Sequence, residues 1–102
     1  MHYLGGISGS GMLKCDGREV ARASYEFDGF MKKPIGVTAS GDIRLSASAL
    51  KGVFGRGGIQ LLTDDGRLLD LRFSERKLLL SSDTAHVDVA GDLPSTAQSW
   101  RH

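Results

Sequence analysis

Asp16-Gly17-Arg18, followed some twenty residues later by Val37-Thr38-Ala39-Ser40-Gly41-Asp42-Ile43, decides how this chain is read, because both passages are written again. The second version is Asp65-Gly66-Arg67 and then Val87-Asp88-Val89-Ala90-Gly91-Asp92-Leu93. Past the Gly-Asp pair, Ser46, Ala47, Leu50 and Lys51 fall opposite Thr96, Ala97, Trp100 and Arg101 at the same offset of 50. Asp-Gly and Gly-Asp recur wherever strands are joined, so it is agreement in type and order that carries the expectation of a duplication. The offset is 49 for the Asp-Gly-Arg element, and the face alternation after the turn slips by one residue between copies. Two units are too few for a solenoid, which takes about three or more. The expected product is one closed, pseudo-twofold domain with halves at about residues 3–54 and 55–102.

The length supports that reading. A chain of 102 residues fits a single domain that buries roughly 60–70% of its unfolded surface. Split in two, each half would lack the disulfides or metal that so small a core usually requires. The halves must therefore share one core.

Thirteen basic residues against twelve acidic leave a net charge of +1, too little to gather phosphate or anionic lipid at long range. Neither nucleic acid nor membrane is expected as a partner. The start of the chain, Met1-His2-Tyr3-Leu4-Gly5-Gly6, has no basic or apolar signal-peptide region. No apolar run approaches the ~20 residues of a membrane span. Cys15 is the single cysteine and has no internal partner for a disulfide. A soluble, cytoplasmic protein is expected.

Periodicity then places the elements. From Tyr3 to Cys15, Ile7, Gly9, Gly11, Leu13 and Cys15 alternate with Ser8, Ser10, Met12 and Lys14, which is the period of a strand. The glycines in it mark a bulge, a bend or a close approach. Asp16-Gly17 suits a type I′ turn into a second strand with Ala21, Ala23, Tyr25 and Phe27 on one face. Asp28-Gly29 reads as its end, and Phe30-Met31-Lys32-Lys33-Pro34 as a connection, since Pro34 has no amide for a ladder. Val37 to Leu45 is a third strand. Ser46 caps a two-turn helix carrying Leu50, Val53 and Phe54, closed by Gly55. Ile59 to Thr63 and Leu68 to Phe73 form a second hairpin around Asp65-Gly66, again expected as type I′, followed by short strands at Lys77 to Leu80 and Ala85 to Val89. Pro94 to Trp100 repeats the helical tail. The expected fold is all-β: a small antiparallel barrel, or a rolled sandwich, of six to eight strands with one or two short helices.

No chemical motif stands out against this layout. The glycines of Gly5-Gly6 to Gly11 sit inside a strand, whereas phosphate-binding loops open a helix. His86 and Asp88 offer two ligand types where a zinc site needs three or four, so no metal or other cofactor is expected. There is no Gly-x-Ser-x-Gly elbow, and Cys15 has no evident activating cation on its own face; an enzyme is not expected. The spacing of Arg18 and Arg22 resembles the first half of the cyclic-di-GMP motif of PilZ domains, which are also small six-stranded barrels. The second half is absent, because Thr38 and Ile43 stand at its positions around Ser40. Lys51, Arg56, Gly57 and Gly58 with Phe54 form a single RGG-like segment, read as a loop.

Two binding classes stay open. One is a non-catalytic interaction module that meets a protein partner or a second copy through a strand edge or through Phe30, Met31, Lys32 and Lys33, where apolar anchors stand beside charge. The other is a small-molecule barrel with its pocket where glycines thin the wall, at Gly9, Gly11 and Gly41, with Arg18 and Arg22 as the charged candidates.

Overall fold

The computed structural model describes residues 2–32, 36–75, 77, 82–91 and 93. It contains β1 (His2–Cys15), β2 (Arg18–Lys32), β3 (Gly36–Arg44), α1 (Ala47–Val53), β4 (Ile59–Thr63), β5 (Leu68–Phe73) and β6 (Thr84–Gly91). The strands close into an antiparallel barrel in the order β1-β2-β3-β6-β5-β4. Each half of the chain supplies a three-stranded meander, and the order is unchanged when β1–β3 are exchanged for β4–β6. Lengths are not: β1 and β2 have 14 and 15 residues, β4 and β5 only 5 and 6.

The alternating residues of every strand meet inside. Leu13, Phe27, Ile43, Leu61, Leu69 and Val87 are fully buried, each contributing about 1.5–3 kcal/mol through removal of apolar surface from water. The small residues of the first meander, Ala23 and Ala39, share this core with the heavier leucines of β4 and β5. β3 ends and β4 begins at the same end of the barrel, so α1 joins them there and adds Leu50 and Val53 to the core. Ser46 caps the helix, its Oγ accepting from the Ala49 amide at 3.3 Å.

Three expectations need correction. Asp28-Gly29 does not end β2, which runs on to Lys32 and pairs Gly29 with Gly5 on one side and Ala39 on the other. Gly29 is buried at a point where three backbones lie side by side, and Asp28, on the outer face, accepts from the Tyr3 hydroxyl at 3.0 Å. Consequently Phe30, Met31 and Lys32 are strand residues rather than a connection; Phe30 packs on Tyr3 with ring centroids 5.4 Å apart. Lys33 and Pro34 lie outside the described residues.

The third correction concerns the turns. Asp16 and Gly17 both have positive φ, 52° and 83°, as a type I′ turn requires. At the second hairpin only Gly66 does, at 91°. There the Gly66 amide bonds the Thr63 carbonyl and the Thr63 amide bonds the Arg67 carbonyl, giving a three-residue loop with a left-handed glycine instead. The buried Thr63 hydroxyl explains the preference, since it bonds both the Asp65 carboxylate and the backbone of Arg67. The expected strand at Lys77 to Leu80 and the helical tail from Pro94 to Trp100 lie outside the described residues, apart from Lys77, which is in no strand.

Candidate functional site

β1 and β2 carry two irregularities of register, one between Tyr3 and Gly5 and one between Leu13 and Lys14. The second decides where the two candidate arginines point. Before it, Met12 pairs with Arg22 and Leu13 with Ala21; after it, Lys14 pairs with Glu19 and Cys15 with Arg18. The extra residue, Val20, reverses the alternation, so Arg18 stands on the face of buried Cys15 while Arg22 stands on the outer wall. A four-residue spacing in an unbroken strand would have put both on one face.

Arg22 is also engaged. Its Nη1 and Nη2 donate to the two carboxylate oxygens of Asp64 at 2.7 Å each. That bidentate bond holds the Asp64 carboxyl below its ordinary value and the Arg22 guanidinium above its own. Arg18 lines a separate cleft of about 520 Å³ with Cys15, Val53 and Arg56 at the barrel end that α1 covers.

Two of the three glycines are pressed against backbone and the third against a side chain. A Cβ on Gly11 would collide with the Leu62 carbonyl oxygen and lie 2.9 Å from Thr63 Cα. On Gly41 it would collide with the Glu26 carbonyl oxygen and lie 2.8 Å from Phe27 Cα. Gly9 lies under the Tyr25 ring, whose hydroxyl would stand 3.1 Å from such a Cβ. Burial raises the Tyr25 phenol above its ordinary value, with Asp65 and Asp64 acting in the same direction and Arg67 against it. Gly9 lines a polar groove of about 370 Å³ with Ser24, Glu26, Asp42, Arg44 and Thr84.

Glu26 pairs with Asp42, and Asp42 with His86, across the outer face. Beside them Ser74 Oγ lies 2.6 Å from His86 Nδ1 and 3.0 Å from the His86 carbonyl oxygen. The sequence reading missed this serine–histidine contact, since Ser74 follows the last residue of β5 and only the β5–β6 register brings it to His86. One hydroxyl proton serves one acceptor at a time. With that proton on the carbonyl, Nδ1–H donates to Ser74 Oγ, and the pair ties the end of β5 to β6. Among the described residues no three His, Cys, Asp or Glu side chains are grouped to hold a metal ion, and no helix is long and apolar enough to cross a membrane.

The remaining feature is an edge. β4 pairs with β1 only over Gly11–Cys15, and the Asp64 amide adds a bond to the Ser10 carbonyl. Among the described residues no strand lies along Gly5 to Gly9 on the side away from β2. Because backbone groups alternate between the two edges of a strand, those of Ser8 and Gly6 point the same way as Ser10. Flanking this edge on the outer wall, Met12 pairs with Leu62 and Leu62 with Leu68, and both leucines are exposed. No family model, no curated protein and no solved structure matches this chain.

Proposed function

We propose that this chain is a non-catalytic, cytoplasmic interaction module that pairs with a second copy of itself along the N-terminal half of β1. The observation that carries the reading is the edge at Gly6 and Ser8, where backbone donors and acceptors point away from β2 with no strand of the described residues beyond them. Such edges are templates for strand addition unless charge, proline or a covering element blocks them. From Tyr3 to Gly9 there is neither charge nor proline.

A second copy is the partner that fits. Antiparallel pairing of β1 with itself is isologous, so one edge satisfies both chains. The nearest facing charges, Glu26 and Asp28, sit one strand back on β2, which places them roughly 14 Å from their counterparts across the axis at ~4.8 Å per strand. That is beyond the screening length of about 8 Å at physiological salt. Phe30 and Met31, paired with Tyr3 and His2, would flank the joint, with Lys32 beyond them. We also read the two meanders as copies of one ancestral unit, the second with a shorter first and second strand.

Sedimentation across the micromolar range tests the assembly. The parent should move from monomer to dimer, Ser8→Pro should remain monomeric with its β-sheet circular dichroism intact, and Ser8→Ala should behave as the parent. A parent that stays monomeric throughout, or a Ser8→Pro variant that dimerises equally well, overturns the reading.

A further inference from the structure

Away from the β1 edge, the β4–β5 ladder stops at the Ile59–Leu71 pair, while β5 continues to Phe73 against β6. The chain that enters β4 is the loop Gly55 to Gly58, which departs from β5 with positive φ at Gly55 and Gly58, 79° and 70°. The Asp16 side chain packs against the loop at Gly58, and the Asp16 amide bonds the Gly58 carbonyl at 3.0 Å. The gap between the loop and the end of β5 is a cleft of about 660 Å³, within the usual size range of small-molecule sites, about 300–1,000 Å³.

We propose that this cleft binds a small ligand combining a flat aromatic ring with one anionic group, of the mononucleotide class. Three independent features of the lining agree. Phe54, at the end of α1, and Phe73, at the end of β5, meet with ring centroids 5.0 Å apart at 47° and remain half-buried, so an apolar aromatic surface is left for a ring to cover. Arg56 and Arg72 stand on the two walls. Both are exposed, and neither has a carboxylate within ion-pair distance among the described residues. Glu75, the acidic residue of the lining, has its Oε1 occupied by the His86 amide at 2.9 Å. Finally, Gly57 has open space where a side chain would be, and its amide has no acceptor among the described residues, so an anion can approach the backbone there.

Two guanidiniums and a short loop complement a single anionic group and not a polyanion. The near-neutral chain, at +1, supplies no field for a longer nucleic acid. The ring on Phe54 and Phe73 and the phosphate between Arg56 and Arg72 are both needed, so neither half alone should bind well.

The probes are adenosine monophosphate, adenosine, inorganic phosphate and a short oligouridine, titrated into the full chain and followed by NMR. The monophosphate should shift the ring protons of Phe54 and Phe73 and the amides of Gly57 and Gly58. Adenosine, which lacks the charge-assisted contacts, and phosphate, which lacks the stacking, should each bind at least about tenfold more weakly. The double variant Arg56→Ala/Arg72→Ala alters exposed side chains only. It should keep the parent's spectrum elsewhere and lose at least about tenfold in affinity for the monophosphate. The proposal is overturned if the monophosphate moves none of these signals at millimolar concentration, if the double variant binds it as the parent does, or if oligouridine binds more tightly than the monophosphate. Ser8→Pro should bind the ligand unchanged, so this site and the β1 edge stand or fall separately.

Discussion

The two meanders occupy equivalent places in the ring of strands, yet one is more than twice as long in two of its three strands. β4, with 5 residues, is paired on both sides along nearly its whole length, and β5, with 6, is paired with β4 as far as Leu71 and with β6 as far as Phe73. β1, with 14, meets β4 only over Gly11–Cys15 and runs on beyond that ladder to His2, whereas most of β2, with 15, lies within the ring. Closure uses residues 18–29 of β2, because Gly11–Cys15, which meet β4, pair with its first part and Ala39–Arg44, which meet β6, pair with the next. What β1 carries beyond its ladder with β4 is a stretch with no strand of the described residues along one edge, although Leu4 within it is buried in the core.

The largest expected effect lies where the meanders share the core. Leu61→Ala and Leu13→Ala, both fully buried, should each destabilise by about 2–5 kcal/mol, whereas Ile7→Ala, half-buried in the projecting part of β1, should cost about 1 kcal/mol or less. Equal losses in chemical denaturation would mean that the arm is as much a part of the core as the barrel.

Next come the close crossings within the long meander and beside it. Gly41→Ala and Gly11→Ala place a methyl against a neighbouring strand's backbone and should lose about 1–3 kcal/mol or more. A thermal midpoint unchanged at either site would show that these strands are not pressed together. The two hairpin glycines should matter less. Gly17→Ala and Gly66→Ala force alanine to positive φ at about 1 kcal/mol each, and a change within ~0.3 kcal/mol at both would remove the turn assignments.

The smallest effect is one of pH. The folded state holds the Tyr25 phenol protonated to higher pH than the unfolded chain does, chiefly through burial. Its contribution is therefore complete below the ordinary tyrosine value of about 10 and is lost as pH rises through the folded value. Tyr25→Phe should flatten part of the alkaline fall in melting temperature. Tyr3, raised by its bond to Asp28, leaves a remainder, and an unaltered alkaline slope in Tyr25→Phe would contradict the assignment.

The barrel was legible in the sequence because alternation is a local signal. Leu13, Phe27, Ile43, Leu61 and Leu69 announce their faces by period alone, and Ser46 and Gly55 bracket α1. What was illegible is whatever depends on register. Asp28-Gly29 has the composition of a turn, but its neighbours Gly5 and Ala39 leave room for the strand to continue. Arg18 and Arg22 look like one constellation until the bulge at Val20 turns them to opposite faces. The Asp16-Gly17 and Asp65-Gly66 pairs are identical dipeptides with different turns, because Thr63 offers its loop a buried hydroxyl. The contact of Ser74 with His86 and the cleft at Phe54 and Phe73 arise from pairings twelve and nineteen residues apart, which no local pattern encodes.

The most direct test of the central claim compares two amides of one strand. Met12 and Ser8 direct their N–H groups to the same edge of β1, but Met12 has β4 opposite it and Ser8 has no strand of the described residues there. If β1 pairs with a second copy as proposed, hydrogen exchange should show Met12 protected at every protein concentration, and Ser8 exchanging rapidly when dilute and slowly as concentration rises. A Ser8 amide equally protected at the lowest concentration, or unprotected at the highest, would contradict an edge kept for a second copy.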